Sequence, residues 1–340
     1  MRALVTGGGG FLGRAIVERL IARGDQVRSL ARGAYPELEA LGVDVIRAAL
    51  TDAGAMDRAC AGVDIVFHVA ARAGVWGAYD DYHEVNVKGT QNVLRAMRAT
   101  GVRRLVYTSS PSVVFHAGDC EGADESTPYP DHYLTHYPKT KAIAERMALA
   151  ANGADMATVA LRPHLIWGPR DNHLVPRILA RASKLRRIGR ENKLIDTVYI
   201  DNAADAHLCA ADRLASGAAC AGKAYFITNG EPRPTWDIVN AILAAGGRPP
   251  VTKVVSKRIA LAAATVMETV YRGLRLPGEP RLTRFVVEEL SSAHWFDISA
   301  ARRDLGYAPS VSIDEGLQRL KSWLETGVVA EASSLSNGPR

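Results

Sequence analysis

Residues 1–13 read MRALVTGGGGFLG, and this stretch decides the fold of the chain. It joins an apolar strand, Arg2–Thr6, to a loop with glycines at positions 7, 10 and 13, and a helical pattern follows at once. Glycines in this arrangement permit a tight turn, let backbone N–H groups approach a pyrophosphate and let the helix pack against the strand. The start of the helix also favours negative charge. The segment therefore predicts a dinucleotide-binding loop, the alternative being a glycine-rich turn without a ligand.

Strand-like and helical segments alternate along the first half of the chain, which is the βαβ rhythm of a parallel sheet. Continuous apolar strands such as Asp64–Ala70 suit a sheet that helices cover on both faces. We therefore predict an α/β fold with a doubly wound parallel sheet of the Rossmann type. The predicted strands are Arg2–Thr6, Val27–Ala31, Asp44–Arg47, Asp64–Ala70, Arg104–Thr108 and Ala157–Arg162, and the predicted helices are Gly10–Arg23, Ala53–Cys60, Asn86–Thr100 and Pro138–Ala151.

The alternation breaks after Pro163, which predicts a second, smaller and mostly helical lobe. A basic amphipathic stretch at Leu174–Arg187 is followed by a strand-like run at Leu194–Ile200 and an alanine-rich helix at Ala203–Leu214. Another strand-like run, Lys223–Thr228, precedes mainly helical patterns. We expect residues 1–163 and 199–230 to form the dinucleotide-binding domain, residues 164–198 and 231–328 the substrate lobe, and residues 329–340 a flexible tail.

The composition is that of an ordinary globular protein. The 340 residues are 47% hydrophobic and 23% charged, which excludes disordered and collagen-like chains. A net charge of +6 is too modest to indicate nucleic acid and suits an anionic small ligand equally well. The four cysteines form no C-x-x-C pair, so neither a metal site nor a disulfide framework is expected. Without a charged leader and apolar core at the start, a cytoplasmic protein is expected.

The end of the second strand indicates which dinucleotide is bound. An acidic residue at this position would bond the ribose 2′-hydroxyl of NAD(H), but the position holds Ala31, with Arg32 beside it. A guanidinium can pair with a 2′-phosphate through two hydrogen bonds, so we predict NADP(H). The alternative is a solvated surface arginine.

Hydroxyl groups and a Tyr-x-x-x-Lys pattern mark the expected reacting centre. Ser110 follows the strand Arg104–Thr108, at the edge of the sheet where ligands bind. Pro138 disfavours helical geometry in the residue before it, so Tyr137 is expected at a helix entrance. Lys141 then lies about one turn further on the same side. A nearby cation and a helix end would lower the pKa of the tyrosine for proton exchange with a substrate oxygen.

Further motifs make the chain resemble the extended short-chain dehydrogenase/reductases from Met1 to about Glu325. These motifs are NVKGT at 86–90, LRPHLIWGPR at 161–170 and DTVYIDN at 196–202, and the last two are similar to the 3β-hydroxysteroid dehydrogenase branch. The resemblance implies an enzyme in which Ser110 positions a carbonyl, Tyr137 is the acid/base and Lys141 its partner. The cofactor-binding residues expected on this basis are Gly7, Gly10, Phe11, Leu12, Gly13, Arg32, Leu50, Ala70, Tyr137, Lys141, Pro163 and Ile166.

Segments 167–174, 222–232 and 276–280 resemble members of this branch that reduce 2-alkyl-3-oxoalkanoic acids with NADPH in bacterial long-chain olefin biosynthesis. This resemblance implies a long-chain β-keto or β-hydroxy acid as substrate, a homodimer, and assembly with a β-lactone synthetase and a β-lactone decarboxylase. A 3β-hydroxysteroid or sterol-4-carboxylate dehydrogenase is one alternative, and an NADP(H)-binding redox sensor is another. The sequence departs from the family pattern at Ala49, Phe115 and His164.

A long alkyl substrate also requires an apolar lining. The expected lining residues are Trp76, Ser112, His164 and Trp167, with simple core packing as the alternative. The apolar segment 258–272 is too short between charges to span a bilayer. It is expected either to cover the substrate or to make a peripheral membrane contact.

Overall fold

A computed structural model describes the backbone of residues 1–336 and the side chains of residues 1–327. The strands are β1 (Arg2–Thr6), β2 (Gln26–Ala31), β3 (Asp44–Arg47), β4 (Ile65–His68), β5 (Arg104–Thr108), β6 (Cys120–Ala123), β7 (Ala157–Pro163), β8 (Ile166–Trp167), β9 (Arg187–Ile188), β10 (Leu194–Ile195), β11 (Val198–Tyr199), β12 (Lys223–Ile227), β13 (Arg233–Pro234), β14 (Val254–Val255) and β15 (His294–Phe296). The α-helices are α1 (Phe11–Ala22), α2 (Pro36–Glu39), α3 (Ala53–Cys60), α4 (Tyr79–Tyr82), α5 (Gly89–Thr100), α6 (His136–Ala150), α7 (Leu174–Arg181), α8 (Ile200–Arg213), α9 (Thr235–Ala245), α10 (Lys257–Gly273), α11 (Arg284–Ser291) and α12 (Ile313–Ser336).

Seven parallel strands form the main sheet, in the order β12-β7-β5-β4-β1-β2-β3. The strand order reverses between β1 and β4, and ligands of such sheets bind at this point, beyond the carboxyl ends of the strands. Helices α1 and α8 pack together on one face, and α3 and α5 pack on the other. The predicted doubly wound Rossmann-type fold is therefore confirmed.

Alternate residues of each strand serve the two faces of the sheet. On β1, Ala3 and Val5 join the apolar cluster beneath α1 and α8, whereas Leu4 joins the cluster beneath α3 and α5. Side chains of a strand point to opposite faces in turn, so a strand that is buried on both faces is apolar throughout. This is why the continuous apolar runs in the sequence become central strands.

A smaller unit, built from β6 and mostly from residues after β8, stands beside the carboxyl edge of the main sheet. It has a four-stranded sheet, β13-β10-β15-β6, and an apolar cluster of its own. The cluster brings together residues of three helices, namely Trp236 on α9, Ala260 and Ala264 on α10, and Val287 on α11. The division of the chain into two domains at the expected boundaries remains a prediction.

The single strand expected at Leu194–Ile200 is wrong, because the structure divides it into β10, β11 and the start of α8. The ladder of β10 ends at Asp196, whose N–H donates to the His294 carbonyl oxygen at 3.1 Å and whose Oδ2 accepts a hydrogen bond of 3.0 Å from the backbone N–H of Phe296. The N–H of Tyr199 then donates to Oδ1 of Asn229 at 3.0 Å, and the helix begins at the next residue. Hydrogen bonds to side-chain acceptors therefore interrupt residues 194–200, although their apolar pattern alone indicates one continuous strand.

The last helix begins at Ile313 and extends to Ser336, into the segment expected as a flexible tail; residues 337–340 lie outside the described part of the chain. Gly316 lets this helix pack directly against Tyr199 of β11, since a Cβ at position 316 would lie 2.7 Å from the Tyr199 ring. Within residues 1–336, no helix has the length and hydrophobicity needed to cross a bilayer.

Candidate active site

The glycine loop between β1 and α1 is closely packed against itself. Gly7 has a φ of +72°, which favours glycine, and the Gly10 N–H donates to the Gly7 carbonyl oxygen at 2.9 Å. A Cβ on Gly13 would lie 2.1 Å from that same carbonyl oxygen. Any larger residue at position 13 would push α1 away from the loop.

The start of α1 offers backbone donors to a ligand. Gly10 precedes the helix with extended geometry and, having no side chain, makes no capping hydrogen bond. The first N–H groups of a helix have no partner within the helix, so Phe11 and Leu12 present theirs at the loop. The tight cradle and these donors fit the pyrophosphate of a dinucleotide.

Two arginines lie at the carboxyl ends of β2 and β3, the two strands on one side of β1. Arg32 follows β2, is exposed and lies on the wall of the cavity described below. No carboxylate lies within ion-pairing distance of its guanidinium among the described side chains. Arg47 donates from Nε to the Arg32 carbonyl oxygen at 3.1 Å, which brings a second guanidinium nearby. Sequence reasoning missed Arg47, although the pairing of β2 with β3 places it opposite Ala31.

A cavity of about 1280 Å³ begins at the glycine loop and runs along the carboxyl edge of the sheet into the smaller unit. Every residue that the sequence assigns to the cofactor lines it, as do Ser110, Ser112 and His164. The cofactor residues on its wall are Gly7, Gly10, Phe11, Leu12, Gly13, Arg32, Leu50, Ala70, Tyr137, Lys141, Pro163 and Ile166. Their contacts with a dinucleotide remain a prediction.

The expected reacting groups meet on one side of this cavity. Ser110 follows β5 and caps a short turn of 3₁₀-helix, with its Oγ 2.9 Å from the Oγ of Ser112. Thr135 is extended and α6 begins at His136, so Tyr137 lies in the first turn of the helix and Lys141 in the next. This agrees with the helix entrance expected at Tyr137.

Lys141 forms a buried part of the cavity wall. Its Nζ donates to the Thr108 carbonyl oxygen at 2.5 Å and lies 4.3 Å from the ring centroid of Tyr107. Burial lowers the pKa of this amine from 10.5 to about 7, although the carboxylate of Glu145 acts in the opposite direction. The lysine can therefore change its charge near neutral pH.

Tyr137 differs from the sequence expectation of a lowered pKa. Burial raises the pKa of its phenol to about 12, while the hydroxyl of Ser110 partly offsets this rise and the carboxylate of Glu289 adds to it. Lys141 does not counter the rise, because its own pKa is lowered to about 7 and the amine is uncharged in the pH range where the phenol titrates. The phenol thus keeps its proton at neutral pH and can donate it to an oxygen that gains negative charge.

A buried ion pair supports the helix that carries Tyr137 and Lys141. Arg162 on β7 donates to both carboxylate oxygens of Glu145 on α6, at 2.6 and 3.0 Å, and the Tyr129 hydroxyl adds a hydrogen bond of 2.6 Å. Burial alone would raise the pKa of Glu145, but the guanidinium holds it below its usual range. The pair fixes α6 to the sheet one turn beyond Lys141.

The far end of the cavity combines apolar and titratable walls. His164 and His294 face each other with 3.2 Å between Nε2 and Nδ1, and burial lowers the pKa of both rings. Glu289 lines the cavity nearby, and burial raises its pKa to about 7 against the opposing charge of Arg177. Sequence reasoning missed Glu289 and His294, because neither belongs to a motif and both come from the smaller unit.

Two residues expected to line the substrate site lie elsewhere. Trp167 is wholly buried in the core, and its indole N–H donates to Oγ1 of Thr197 at 3.0 Å. Trp76 is partly exposed and packs its ring edge-on against Tyr271 of α10, outside the lining of the cavity. Helix α10 contributes no described residue to that lining, so it does not cover the site.

Comparison with known proteins agrees with this geometry. The model of the 3-beta hydroxysteroid dehydrogenase/isomerase family matches residues 4–255. A 2-alkyl-3-oxoalkanoate reductase of Stenotrophomonas maltophilia is 54% identical over 327 residues, which cover 95% of this chain and 99% of that protein. Another protein of the same name, from Shewanella oneidensis, is 53% identical over 332 residues, covering 95% and 86%.

The fold is shared with solved nicotinamide-binding structures. The UDP-glucose 4-epimerase of Thermus thermophilus in complex with NAD superposes with a TM-score of 0.72 at 26% identity, covering 96% of this chain and 99% of the epimerase. The cavity therefore lies in a fold that holds nicotinamide cofactors. The chain belongs to the 3-beta hydroxysteroid dehydrogenase/isomerase family and is a nicotinamide-dependent oxidoreductase acting on a CH–OH or ketone group.

Proposed function

We propose that this enzyme reduces 2-alkyl-3-oxoalkanoic acids to 2-alkyl-3-hydroxyalkanoic acids with NADPH. The observation that carries the proposal is the continuous cavity that joins the glycine loop, the Ser110 and Tyr137 hydroxyls and a large apolar chamber. The names of two relatives that are 54% and 53% identical to this chain agree with it.

The size and walls of the cavity suit a branched, lipid-like substrate beside a dinucleotide. A site for one drug-sized ligand occupies about 300–1,000 Å³, and this cavity measures about 1280 Å³. Beyond Tyr137 its walls are mainly apolar, which favours alkyl chains. The apolar side chains of this chamber include Phe115, Ile178, Trp236, Val239, Phe285 and Phe296.

Basic groups at the chamber favour a carboxylate on the substrate. Arg177 and Arg181 both lie on its wall. Arg177 is ion-paired with Glu279 through Nη2, and a guanidinium has further N–H donors for a second acid. One of these arginines would bind the carboxylate of a 3-oxo acid held in the same cavity as Tyr137.

The side chains supply the acid–base part of the reduction. When bound, the nicotinamide supplies the hydride that a ketone carbon accepts. Tyr137 then gives its phenolic proton to the ketone oxygen, which becomes the 3-hydroxyl, and Ser110 donates a hydrogen bond to that oxygen. Lys141, one turn from Tyr137, would hold the cofactor's ribose, and the tyrosinate regains a proton from solvent.

Arg32 is the basis for proposing NADPH rather than NADH. Its guanidinium has no acidic partner among the side chains of residues 1–327, Arg47 is adjacent, and no carboxylate at Ala31 repels a 2′-phosphate. Two arginines in this arrangement favour the extra phosphate of NADP(H).

The product defines the place of the reaction in a sequence. A 2-alkyl-3-hydroxy acid can close to a β-lactone and then lose carbon dioxide, so we propose a role before a β-lactone synthetase and a β-lactone decarboxylase in long-chain olefin biosynthesis. A cytoplasmic homodimer that assembles with these two enzymes is part of the same proposal. Co-purification of the three proteins from a producing cell tests the assembly.

The test measures NADP⁺-dependent oxidation of a synthetic 2-alkyl-3-hydroxyalkanoic acid, because the 3-oxo acid loses carbon dioxide spontaneously. We expect turnover of the long-chain acid, with NADP⁺ preferred over NAD⁺. Dehydroepiandrosterone serves as the comparison substrate, and its preferential oxidation would assign the enzyme to hydroxysteroids instead.

The variant Tyr137→Phe separates chemistry from binding. We expect it to bind NADPH normally and to lose at least about 10²-fold in turnover, the usual contribution of a positioned acid. Tyr133→Phe is the matched control, since its hydroxyl donates to the Val113 carbonyl at 3.3 Å and lies outside the cavity lining. Full activity of Tyr137→Phe would refute the assignment, and NADPH binding by the wild type without any turnover would favour a redox sensor.

A further inference from the structure

The outward face of α10 carries an apolar stripe that no other part of the described chain covers. Of the ten large apolar side chains that are exposed among the described residues, five lie between Ile259 and Leu276. Ile259 is 63% exposed, Val266 62% and Leu274 69%, and Val270 lies between the last two. Ile259, the exposed Ala262, Val266 and Val270 follow one side of the helix by their spacing. Leu274 caps the helix, and the exposed Leu276 follows two residues later. We call Ile259, Ala262, Val266, Val270, Leu274 and Leu276 the outer stripe.

The opposite face of α10 is fixed to the protein. Ala260 and Ala264 are buried in the apolar cluster of the smaller unit. Glu268 is also buried, and its two carboxylate oxygens accept hydrogen bonds from the backbone N–H and the Nε of Arg284, at 2.8 and 2.9 Å. The helix therefore cannot rotate to bury the outer stripe without breaking these contacts.

Positive charge surrounds the outer stripe. Arg258 lies at one end of the helix, and Arg272 and Arg275 lie at the other, all three exposed. The single acidic residue between positions 257 and 278 is Glu268, which is buried and paired. Apolar side chains flanked by arginines are the pattern of a helix that lies on an anionic lipid surface.

The stripe is also next to the wall of the cavity. Tyr271 of α10 packs edge-on against Trp76 with 6.3 Å between ring centroids, and the Arg272 guanidinium lies 5.1 Å from the Trp76 ring. Trp76 directly follows residues 73–75, which line the cavity. A surface bound to the outer stripe would therefore lie close to the site where an apolar substrate is held.

We propose that the outer stripe of α10 docks this enzyme on the surface of an anionic lipid bilayer. A second copy of the chain is a poorer partner, because a symmetric contact would bring the same arginines of both copies together. An anionic bilayer complements both the apolar and the charged parts of the stripe.

Flotation of the purified full-length enzyme with vesicles tests the proposal. Vesicles of phosphatidylcholine and phosphatidylglycerol in equal parts are compared with vesicles of phosphatidylcholine alone. We expect binding to the mixed vesicles, weakened by added salt because the screening length shortens. Val266→Asp should reduce the partition coefficient about tenfold or more, since it removes one buried apolar side chain and places a negative charge against an anionic surface.

Two further variants keep the result interpretable. Leu41→Asp changes an apolar residue that is 40% exposed in the loop after α2 and should float like the wild type. Ile259→Ser weakens the other end of the outer stripe and provides a second test if Val266→Asp fails to fold. Thermal unfolding and NADPH binding identify folded variants.

The proposal is overturned if the wild type does not float with the mixed vesicles, or if both stripe variants float as well as Leu41→Asp. It is also overturned if light scattering shows an oligomer that Val266→Asp dissociates while vesicles are not bound, because the stripe would then join copies of the chain. These outcomes do not depend on the substrate, which the oxidation assay tests separately.

Discussion

Replacing Lys141 by methionine should make the cofactor-free protein more stable while removing its activity. The ammonium group is buried, and burial lowers its pKa from 10.5 to about 7. At about 1.4 kcal/mol per pH unit, this fall means that burial costs the charged form roughly 5 kcal/mol. Methionine fills similar space without that cost. It does lose the hydrogen bond to the Thr108 carbonyl, worth about 1–3 kcal/mol, so we expect a net gain of roughly 2–4 kcal/mol near pH 6.

The sign of the pH dependence follows from the lowered pKa. Between about pH 7 and 10.5 the unfolded chain holds a proton on Lys141 that the folded protein has released. The free energy of unfolding of the wild type therefore rises with pH through this window, and the full cost of burial applies below it. The cost falls from roughly 5 kcal/mol near pH 6 to roughly 2 kcal/mol near pH 9, so the advantage of Lys141→Met should shrink accordingly.

Urea unfolding without cofactor, at both pH values, measures this difference. Lys139→Met is the matched control, because that lysine is exposed two residues earlier on the same helix, and its stability should differ little from the wild type. Turnover and NADPH binding of Lys141→Met are measured in parallel. A methionine variant that is less stable than the wild type, or whose difference does not change with pH, would refute the reasoning.

Three other changes have expected outcomes of their own. Arg32→Ala should weaken NADPH binding by about tenfold or more and leave NADH binding unchanged, because it removes charge-assisted hydrogen bonds worth about 1.5–3 kcal/mol. Fluorescence titration measures both affinities, with Arg98→Ala as the control. An equal loss of NADH affinity would contradict the 2′-phosphate role. Gly13→Ala should abolish dinucleotide binding, since its Cβ would lie 2.1 Å from a carbonyl oxygen of the loop, whereas Gly153→Ala, with open space around it, should bind normally. Arg162→Met should lower the free energy of unfolding by about 3–5 kcal/mol in urea, because it leaves a carboxylate buried without its partner; a loss below about 1 kcal/mol would show that this ion pair does not support α6.

The sequence predicted the main sheet well because local pattern and burial agree there. Arg2–Thr6, Asp44–Arg47 and Arg104–Thr108 have the predicted bounds. The first and last of these strands are buried almost throughout, and the edge strand Asp44–Arg47 is half-buried at Val45 and Ile46. The glycine loop was equally readable, since steric contacts allow little except glycine at positions 7 and 13.

Features that depend on distant parts of the chain could not be predicted in this way. Trp167 follows the Arg-Pro strand motif closely enough to suggest a site residue, yet the core formed with α12 buries it completely. Glu289 and His294 reach the cavity only because the smaller unit folds against the main sheet. The pKa of Tyr137 is raised rather than lowered because the phenol is buried and Lys141, whose own pKa is lowered to about 7, is uncharged where the phenol titrates. Spacing along a helix does not reveal the burial of either group.

The edge position of β12 sets the order in which a growing chain can complete its sheet. β7 pairs with β5 on one side, and on the other side it has no partner until Lys223–Ile227 has been synthesised. An apolar strand with a free edge promotes association between chains, so nascent chains that end before β12 should aggregate, and those that include it should resist pulse proteolysis. All the proposed reacting residues precede β12 in the sequence. The ribosome must therefore synthesise the chain from Lys141 to Ile227 before β12 can complete the main sheet that holds them.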